Sequence, residues 1–276
     1  MRRTLLLATL LLAAVSAPGS ARAQCAANVP HVDGQWGTLP YLMPINPISA
    51  TLLHDGRILI VSGSENDASN DATGAESYRI AVWDPRGTSS ASVTVQSIEY
   101  DVFCSGTAVL PDGRPLVVGG TSDYSFTGEA RSSIFDPATS EFLQTQKMVD
   151  GRWYATATAL GDGRIMAFSG LGLGGSTNNS VEIYDLKNAG PGWTPPASAP
   201  FTPPLYPRMA LLPTGKVFFT GNGGGGRTST SWLFDPVPRT WTASAATTAD
   251  RTYGSAVLLP LLPPSYRARV MNFGGG

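Results

Sequence analysis

The sequence predicts an all-β protein made of repeated four-stranded units, and three observations carry that reading. Gly (31) and Pro (22) are abundant while charged residues are only 14%, a mix that suits a turn-rich β protein better than a helical one. Four segments share one pattern of apolar run, turn, apolar run and glycine: "ATLLHDGRILIVSG" (50–63), "TAVLPDGRPLVVGG" (107–120), "ATALGDGRIMAFSG" (157–170) and "MALLPTGKVFFTG" (209–221). Their turn glycines, Gly56, Gly113, Gly163 and Gly215, recur at intervals of 57, 50 and 52 residues, without the 3.6-residue periodicity of a helical solenoid.

Each element follows in order. "MRR", the apolar run "TLLLATLLLAAVSA" and the small residues "ARA" at 21–23 read as a secretory signal over residues 1–23. The expected protein is therefore secreted, extracellular or periplasmic, in a disulfide-permissive compartment. The apolar run is short for a membrane span, and no later stretch reaches about 18 apolar residues. Residues 24–48 read as an N-terminal arm, in which "DGQWGTLP" (33–40) resembles an orphan fourth strand that closes a ring from the other terminus. From residue 49 the repeats begin. Asp-Gly-Arg signals a two-residue hairpin turn, because Gly tolerates positive φ. A third strand follows each hairpin ("AVWDP", "SIFDP", "EIYDL", "WLFDP"), ending at Asp84, Asp136, Asp185 and Asp235. A fourth strand closes the unit, as in "SEFLQTQ", "PGWTPP" and "RTWTAS".

Four such units in phase over 50–245 look like the blades of a kelch-type β-propeller. A fifth opens at "TYGSAVLLP" and reaches "RVMNFGGG". The expected architecture over 49–276 is four full blades plus the start of a fifth, the front part of a seven-bladed ring, incomplete at its C-terminus. A five-bladed ring is the other reading. A formal charge of −1 and a pI near 6.1 exclude a nucleic-acid or anionic-membrane surface built on clustered Lys and Arg.

Phase singles out one set of residues. Pro47, Cys104, Tyr154 and Tyr206 each lie nine residues before a turn glycine, and Tyr253 takes the same slot in the fifth unit. They are expected to ring one mouth of a central channel, with Cys104 and Tyr154 on neighbouring blades. Residue types alone leave three readings of Cys104: a buried space-filler, a disulfide to Cys25, or a reactive group. Arg152 and Arg251 stand two residues before ring tyrosines and share their face. Orienting an oxygen-rich substrate, or a salt bridge between blades, are their two readings.

"DVFCSGTAVLPDGR" followed by "GRWYATATALGDGRIMAFSG" resembles the copper-radical oxidase family of galactose oxidase and glyoxal oxidase. "STNNSVEIYD" and "LYPRMALLPTGKVF" resemble glyoxal-oxidase-like members, and the resemblance runs from about residue 40 to the end. It implies that Cys104 is joined by a thioether to Tyr154, and that Tyr154 is a copper ligand carrying a radical. It further implies oxidation of a primary alcohol, aldehyde or carbohydrate while O₂ becomes H₂O₂. The family's other copper ligands, a tyrosine and two histidines, have no counterpart here. His31 lies in the arm and His54 in a hairpin turn, so the copper site is expected to be incomplete in this chain. The tryptophan that galactose oxidase carries after its Gly-Gly is replaced by "GLGLGG", and its extra carbohydrate-binding domain is absent; both lean toward the glyoxal-oxidase side. The reading from another class is a non-catalytic propeller that binds glycan or protein at the channel mouth.

Three lesser signals complete the survey. "GNGGGGR" (221–227) lacks the Lys-Ser/Thr of a phosphate loop and reads as a connection. "SENDASNDATGAE" (64–76) is acidic but misses the spacing of a calcium loop. "NNS" (178–180) is a glycosylation sequon in a eukaryotic host.

Overall fold

The computed structural model describes residues 34–73, 77–187, 192–247 and 249–276. The expected signal, Cys25 and His31 lie outside these residues. Pro40–Gly276 form one compact unit, described here by itself. It is almost wholly β, with helix confined to short pieces such as α1 (Ala68–Thr73) and a 3-10 turn at Ser90–Ser92.

Four antiparallel four-stranded sheets follow one another along the chain. The first holds β1 (Ser49–Leu52), β2 (Ile58–Gly63), β3 (Arg79–Trp83) and β4 (Val93–Ser97), paired in that order. The second holds β5 (Gly106–Val109) and β6 (Pro115–Val118). A hairpin of β7 (Thr121–Asp123) and β8 (Thr127–Gly128) then intervenes before β9 (Ser132–Asp136) and β10 (Glu141–Gln144). The third holds β11 (Thr156–Ala159), β12 (Ile165–Phe168), β13 (Ser180–Tyr184) and β14 (Ala197–Ser198). The fourth holds β15 (Met209–Leu211) and β16 (Val217–Phe219). The hairpin of β17 (Asn222–Gly223) and β18 (Gly226–Arg227) precedes its β19 (Thr230–Asp235) and β20 (Thr240–Ala246). A last pair, β21 (Ser255–Leu258) and β22 (Val270–Phe273), follows.

Turn chemistry explains the boundaries. The hairpins are three-residue loops, not the two-residue turns expected. Leu53, Leu110, Leu160 and Leu212 donate to the carbonyls of Arg57, Arg114, Arg164 and Lys216, which leaves three residues between. A two-residue type I′ turn needs positive φ at both centres, whereas only the glycine has it here (Gly56 +88°, Gly113 +86°, Gly163 +88°, Gly215 +78°). Each loop aspartate then takes the arginine two residues on: Asp55, Asp112 and Asp162 accept from the backbone N–H and the Nε of Arg57, Arg114 and Arg164. The aspartates ending the third strands work alike. Asp84, Asp136, Asp185 and Asp235 each accept the N–H two residues on and turn the chain toward the fourth strand.

The second strand of each sheet is the packing element. Leu59 and Val61 of β2 join Val117 and Phe135 of the second sheet, while Ile60 faces Ile45 and Val93 on the other side. Leu116 and Val118 of β6 meet Ile165 and Ala167 of β12, whose Met166 and Phe168 meet Val217 and Phe234 of the fourth sheet. Successive side chains on a strand point to opposite faces, so a strand buried on both reads as an unbroken apolar run. Each fully buried Leu, Ile or Phe contributes about 1.5–3 kcal/mol. The first strands are gathered together, β11 lying beside β5 and β15, and β15 beside β21.

Two expectations at the edges are corrected. The strand expected at 33–40 does not form over its described part: residues 34–40 carry no strand, and the Trp36 ring is wholly exposed with nothing packed on it. The outer strand expected at "PGWTPP" forms in two pieces: Trp193 bridges Tyr184 of β13, and after the prolines pairing resumes at β14. Pro195 and Pro196 have no N–H for a ladder, and Trp193 turns inward, buried against Tyr184 with its indole N–H on Ser132 Oγ (3.0 Å).

Glycines at the ends of the second strands let the next sheet's connecting chain come close. A Cβ on Gly119 (φ +71°) would overlap the carbonyl oxygen of Arg152, with strained backbone added. Gly119→Ala is expected to destabilise the protein by about 2–4 kcal/mol in urea unfolding. Gly161→Ala, at an open loop position, is the control and should cost far less.

Candidate active site

The chain entering the second sheet is held rigidly. Asp101 Oδ1 accepts the N–H of Ser64 and of Phe103, both at 2.8 Å, and Phe103 is buried. Cys104 comes next. It has a left-handed backbone (φ +57°), as do Tyr154 (+68°), Tyr206 (+45°) and Tyr253 (+62°). The left-handed region is costly for any residue with a Cβ, by about 1–2 kcal/mol. Four of the five residues aligned by phase thus share one unusual conformation; the fifth, Pro47, has its φ fixed negative by its ring.

Backbone hydrogen bonds link three of them. The Tyr154 N–H donates to the Cys104 carbonyl (3.1 Å), and the Tyr206 N–H to the Tyr154 carbonyl (2.8 Å). Tyr253 breaks the series, since its N–H goes to Gly223 and its ring is 75% exposed. Side chains meet as well. The Tyr154 and Tyr206 rings lie edge to face at 5.5 Å and 74°. Among the described residues Cys104 is a free thiol; Cys25, the partner in the disulfide reading, lies outside them.

Sequence reasoning missed a residue. No tryptophan follows the Gly-Gly, yet Trp153 stacks on Tyr154 (4.6 Å between centroids, 17°) from directly before it in the chain. Its backbone forms a two-way bridge to Leu171, which fixes the indole over the phenol. Phe103, Tyr124 and Phe126 pack around Trp153, so the β7–β8 hairpin lays aromatic rings beside the cluster. The "RWY" triplet was the available signal.

The two arginines do different things. Arg152 is fully buried, and its guanidinium bonds Glu182 (2.9 Å), the carbonyls of Ser169 and Ser180, and Ser180 Oγ. No part of its side chain is open to solvent. The expectation that Arg152 orients substrate is therefore corrected: its charge is spent on Glu182 of its own sheet, not on a bridge between sheets. Arg251 is half-buried and lines a cleft of about 280 Å³ between the fourth sheet and the last pair, 3.4 Å from the Gly274 carbonyl. The sequon asparagine Asn178 is also buried, its Oδ1 accepting from the Ser180 N–H and hydroxyl. It offers no site for a glycan.

Burial sets the titration of the cluster. It pushes the Cys104 thiol up to about 11, partly offset by the Tyr206 hydroxyl. It pushes the Tyr154 phenol up to about 12, with further upward pressure from Cys104 and Tyr124. Tyr206 is raised further, by burial and then by Cys104. The metal test follows from this donor set. Tyr154 and Tyr206 offer one phenol oxygen each, and His54 sits in the β1–β2 turn against Gly113, at the other end of the sheets. Among the described residues no group of three His, Cys, Asp or Glu gathers. Cu(II) favours a tetragonal set of N and O donors, which these residues do not supply on their own.

No family model matches the chain. Galactose oxidase of Gibberella zeae is 27% identical over 173 residues, 62% of this chain and 24% of the relative. Aldehyde oxidase GLOX of Vitis pseudoreticulata is 34% identical over 131 residues, 44% of this chain and 23% of the relative. The matches thus span about a quarter of the curated relatives' length. A solved fungal alcohol oxidase of the AA5 family, in complex with copper, covers 85% of this chain and 71% of its own at 16% identity and a TM-score of 0.41.

Two outcomes are expected. Glu182→Ala leaves the Arg152 charge buried and unpaired and should cost about 3–5 kcal/mol in urea unfolding. In a Cys25→Ser background, alkylation of Cys104 should stay slow near neutral pH and rise only toward pH 11. Because the thiol holds its proton higher in the folded state than its ordinary value of 9.0, its contribution to stability is full below pH 9 and is lost as pH rises through 11. Rapid alkylation at pH 8 would contradict the buried thiol.

Proposed function

We propose that this chain, a relative of the copper-radical oxidases, carries the cysteine–tyrosine half of such an enzyme's centre. The four sheets are read as kelch blades of a β-propeller, with β21–β22 opening a fifth, in a secreted protein. The observation that carries the reading is the pairing of Cys104 with Tyr154 on adjacent, hydrogen-bonded, left-handed backbone, beneath a stacked indole.

The chemistry proposed for these residues is a thioether between Cys104 Sγ and a ring carbon of Tyr154 beside its hydroxyl. The S–H and C–H bonds break, the S–C bond forms, and two electrons and two protons pass to O₂, giving H₂O₂. Trp153 holds the Tyr154 ring flat, and the buried backbone ladder holds the sulfur beside it. The activity proposed for the assembled protein is oxidation of a primary alcohol, aldehyde or carbohydrate with reduction of O₂ to H₂O₂. Copper, when bound, supplies the one-electron and O₂ chemistry. Tyr154 is the ligand proposed from the described residues, and the remaining donors come from outside them. Arg251 and the exposed Tyr253 are proposed to meet substrate at the rim.

The second reading, a non-catalytic propeller binding glycan or protein at the mouth, draws support from the lack of imidazole near Tyr154 among the described residues. One experiment separates the two. Incubate the reduced assembled protein, with the remaining copper donors present, with Cu(II) in air, digest it, treat it with thiol, and search for a peptide joining "VFCSG" to "WYATA". A thiol-resistant link with loss of two hydrogens is expected. Cys104 recovered as free thiol, or tied to Cys25 by a reducible bond, would favour the binding protein.

A further inference from the structure

Arg251 repeats the setting of Arg152 up to one missing strand. The sheets that hold them match by pairing. In the third sheet Thr156 pairs with Phe168 and Ala157 with Ala167; in the last pair Ser255 pairs with Phe273 and Ala256 with Asn272. The hairpins close alike, the Leu160 N–H on the Arg164 carbonyl and the Leu259 N–H on that of Arg269. A glycine beyond each second strand presses on the arginine backbone, Gly170 on Arg152 and Gly275 on Arg251. Both guanidiniums donate through Nη1 to the carbonyl just after that strand, Ser169 at 3.1 Å and Gly274 at 3.4 Å.

The match stops at the third strand. The remaining partners of Arg152 are the Ser180 carbonyl (3.0 Å), Ser180 Oγ (3.1 Å) and the Glu182 carboxylate (2.9 Å), all on β13. Among the described residues β22 pairs with β21 alone, so its other edge is open. Met271 and Phe273 of β22 are 46% and 45% exposed, whereas Met166 and Phe168 at the matching positions of β12 are fully buried. No acid lines the Arg251 cleft among the described residues, and the buried Asn272 Oδ1 there has no partner. Asn272 takes the place of Ala167, the residue that pairs with Glu182.

We propose that the open edge of β22 is a docking site for an extended acidic peptide strand, antiparallel to β22, with a carboxylate opposite Asn272 and on the Arg251 guanidinium. Main-chain bonds along the edge supply affinity. The charge pair fixes register, because a slip of one residue turns the carboxylate to the other face. Arg267 and Arg269, just before β22, add positive charge on this side. A second copy is the poorer occupant: its own β22 carries no acid and would bring the same arginines. The proposal goes beyond the oxidase reading and uses none of its chemistry. With the edge open, Arg251 meets substrate as proposed above; a docked strand withdraws it.

The probe is a blocked synthetic peptide with the sequence of β13 and its flanks, "NNSVEIYDL" (178–186), set against the same peptide with Glu182→Gln. Each is titrated into the full chain and its Arg251→Gln variant at low and high salt, with hydrogen exchange followed at residues 270–273. The acidic peptide should bind wild type, slow exchange along β22, and weaken with salt. Either glutamine change should weaken binding about tenfold, and the two together little more than one. Should Arg251→Gln fail to fold, the two peptides on wild type still decide. Equal binding of both peptides, binding without slowed exchange at 270–273, or no binding overturns the proposal. Free glutamate that slows exchange as well as the peptide does would make the cleft a small-carboxylate site and overturn the strand. Slowed exchange that grows with protein concentration and no peptide would give the edge to a second copy and overturn it too.

Discussion

The cluster of Cys104 and Tyr154 depends on room left by missing side chains. Gly63 at the end of β2 abuts Asp101 and Phe103, and Gly119 and Gly120 after β6 abut Arg152 and the Asp101–Val102 backbone. Gly170 after β12 abuts Arg152 and Trp153. A Cβ at these points would strike main chain or a buried carboxylate, neither of which can yield cheaply. So the segment leading into each first strand presses against the end of its own and the preceding second strand. Cys104 and Tyr154 sit immediately downstream of those contacts. Their placement is set by backbone against backbone, the least adjustable packing a fold offers.

The apolar packing and the placement of the cluster are two outcomes of one strand. The second strands of the first three sheets bury both faces, which stacks the sheets, and then end in glycine, which admits the connecting loop. Period two in the sequence places the side chains, and the glycine that terminates it places the reactive residues. This is why phase counted from a turn glycine was enough to group Cys104, Tyr154 and Tyr206, which share a left-handed backbone although their residue types differ.

What the sequence left hidden has a common cause. Repeat spacing and strand pattern are periodic, so the strands, the glycine turns and the ring positions could be counted. Partners across space are not periodic. Arg152 has the spacing of a rim residue, but nothing in the spacing shows Glu182 beneath it, whose carboxylate offsets part of the cost of burying the guanidinium. Trp153 has the alternation of a core residue, and it is buried; that its far face lies on Tyr154 follows from a bridge to Leu171 that local pattern cannot display. Asn178 matches a surface motif while its side chain serves as a cap for β13.

Glycine would be the comfortable occupant of every left-handed position in the cluster, as it is in the hairpin loops. Cys104, Tyr154 and Tyr206 hold those positions instead, each with strain that a glycine would release. Stability and side-chain chemistry therefore pull in opposite directions at these three residues. Random substitution screened for heat resistance alone would be drawn toward glycine there and would erase the cluster first. A screen for more robust versions of this protein has to shield these positions, because its easiest gains coincide with the residues whose chemistry is of interest.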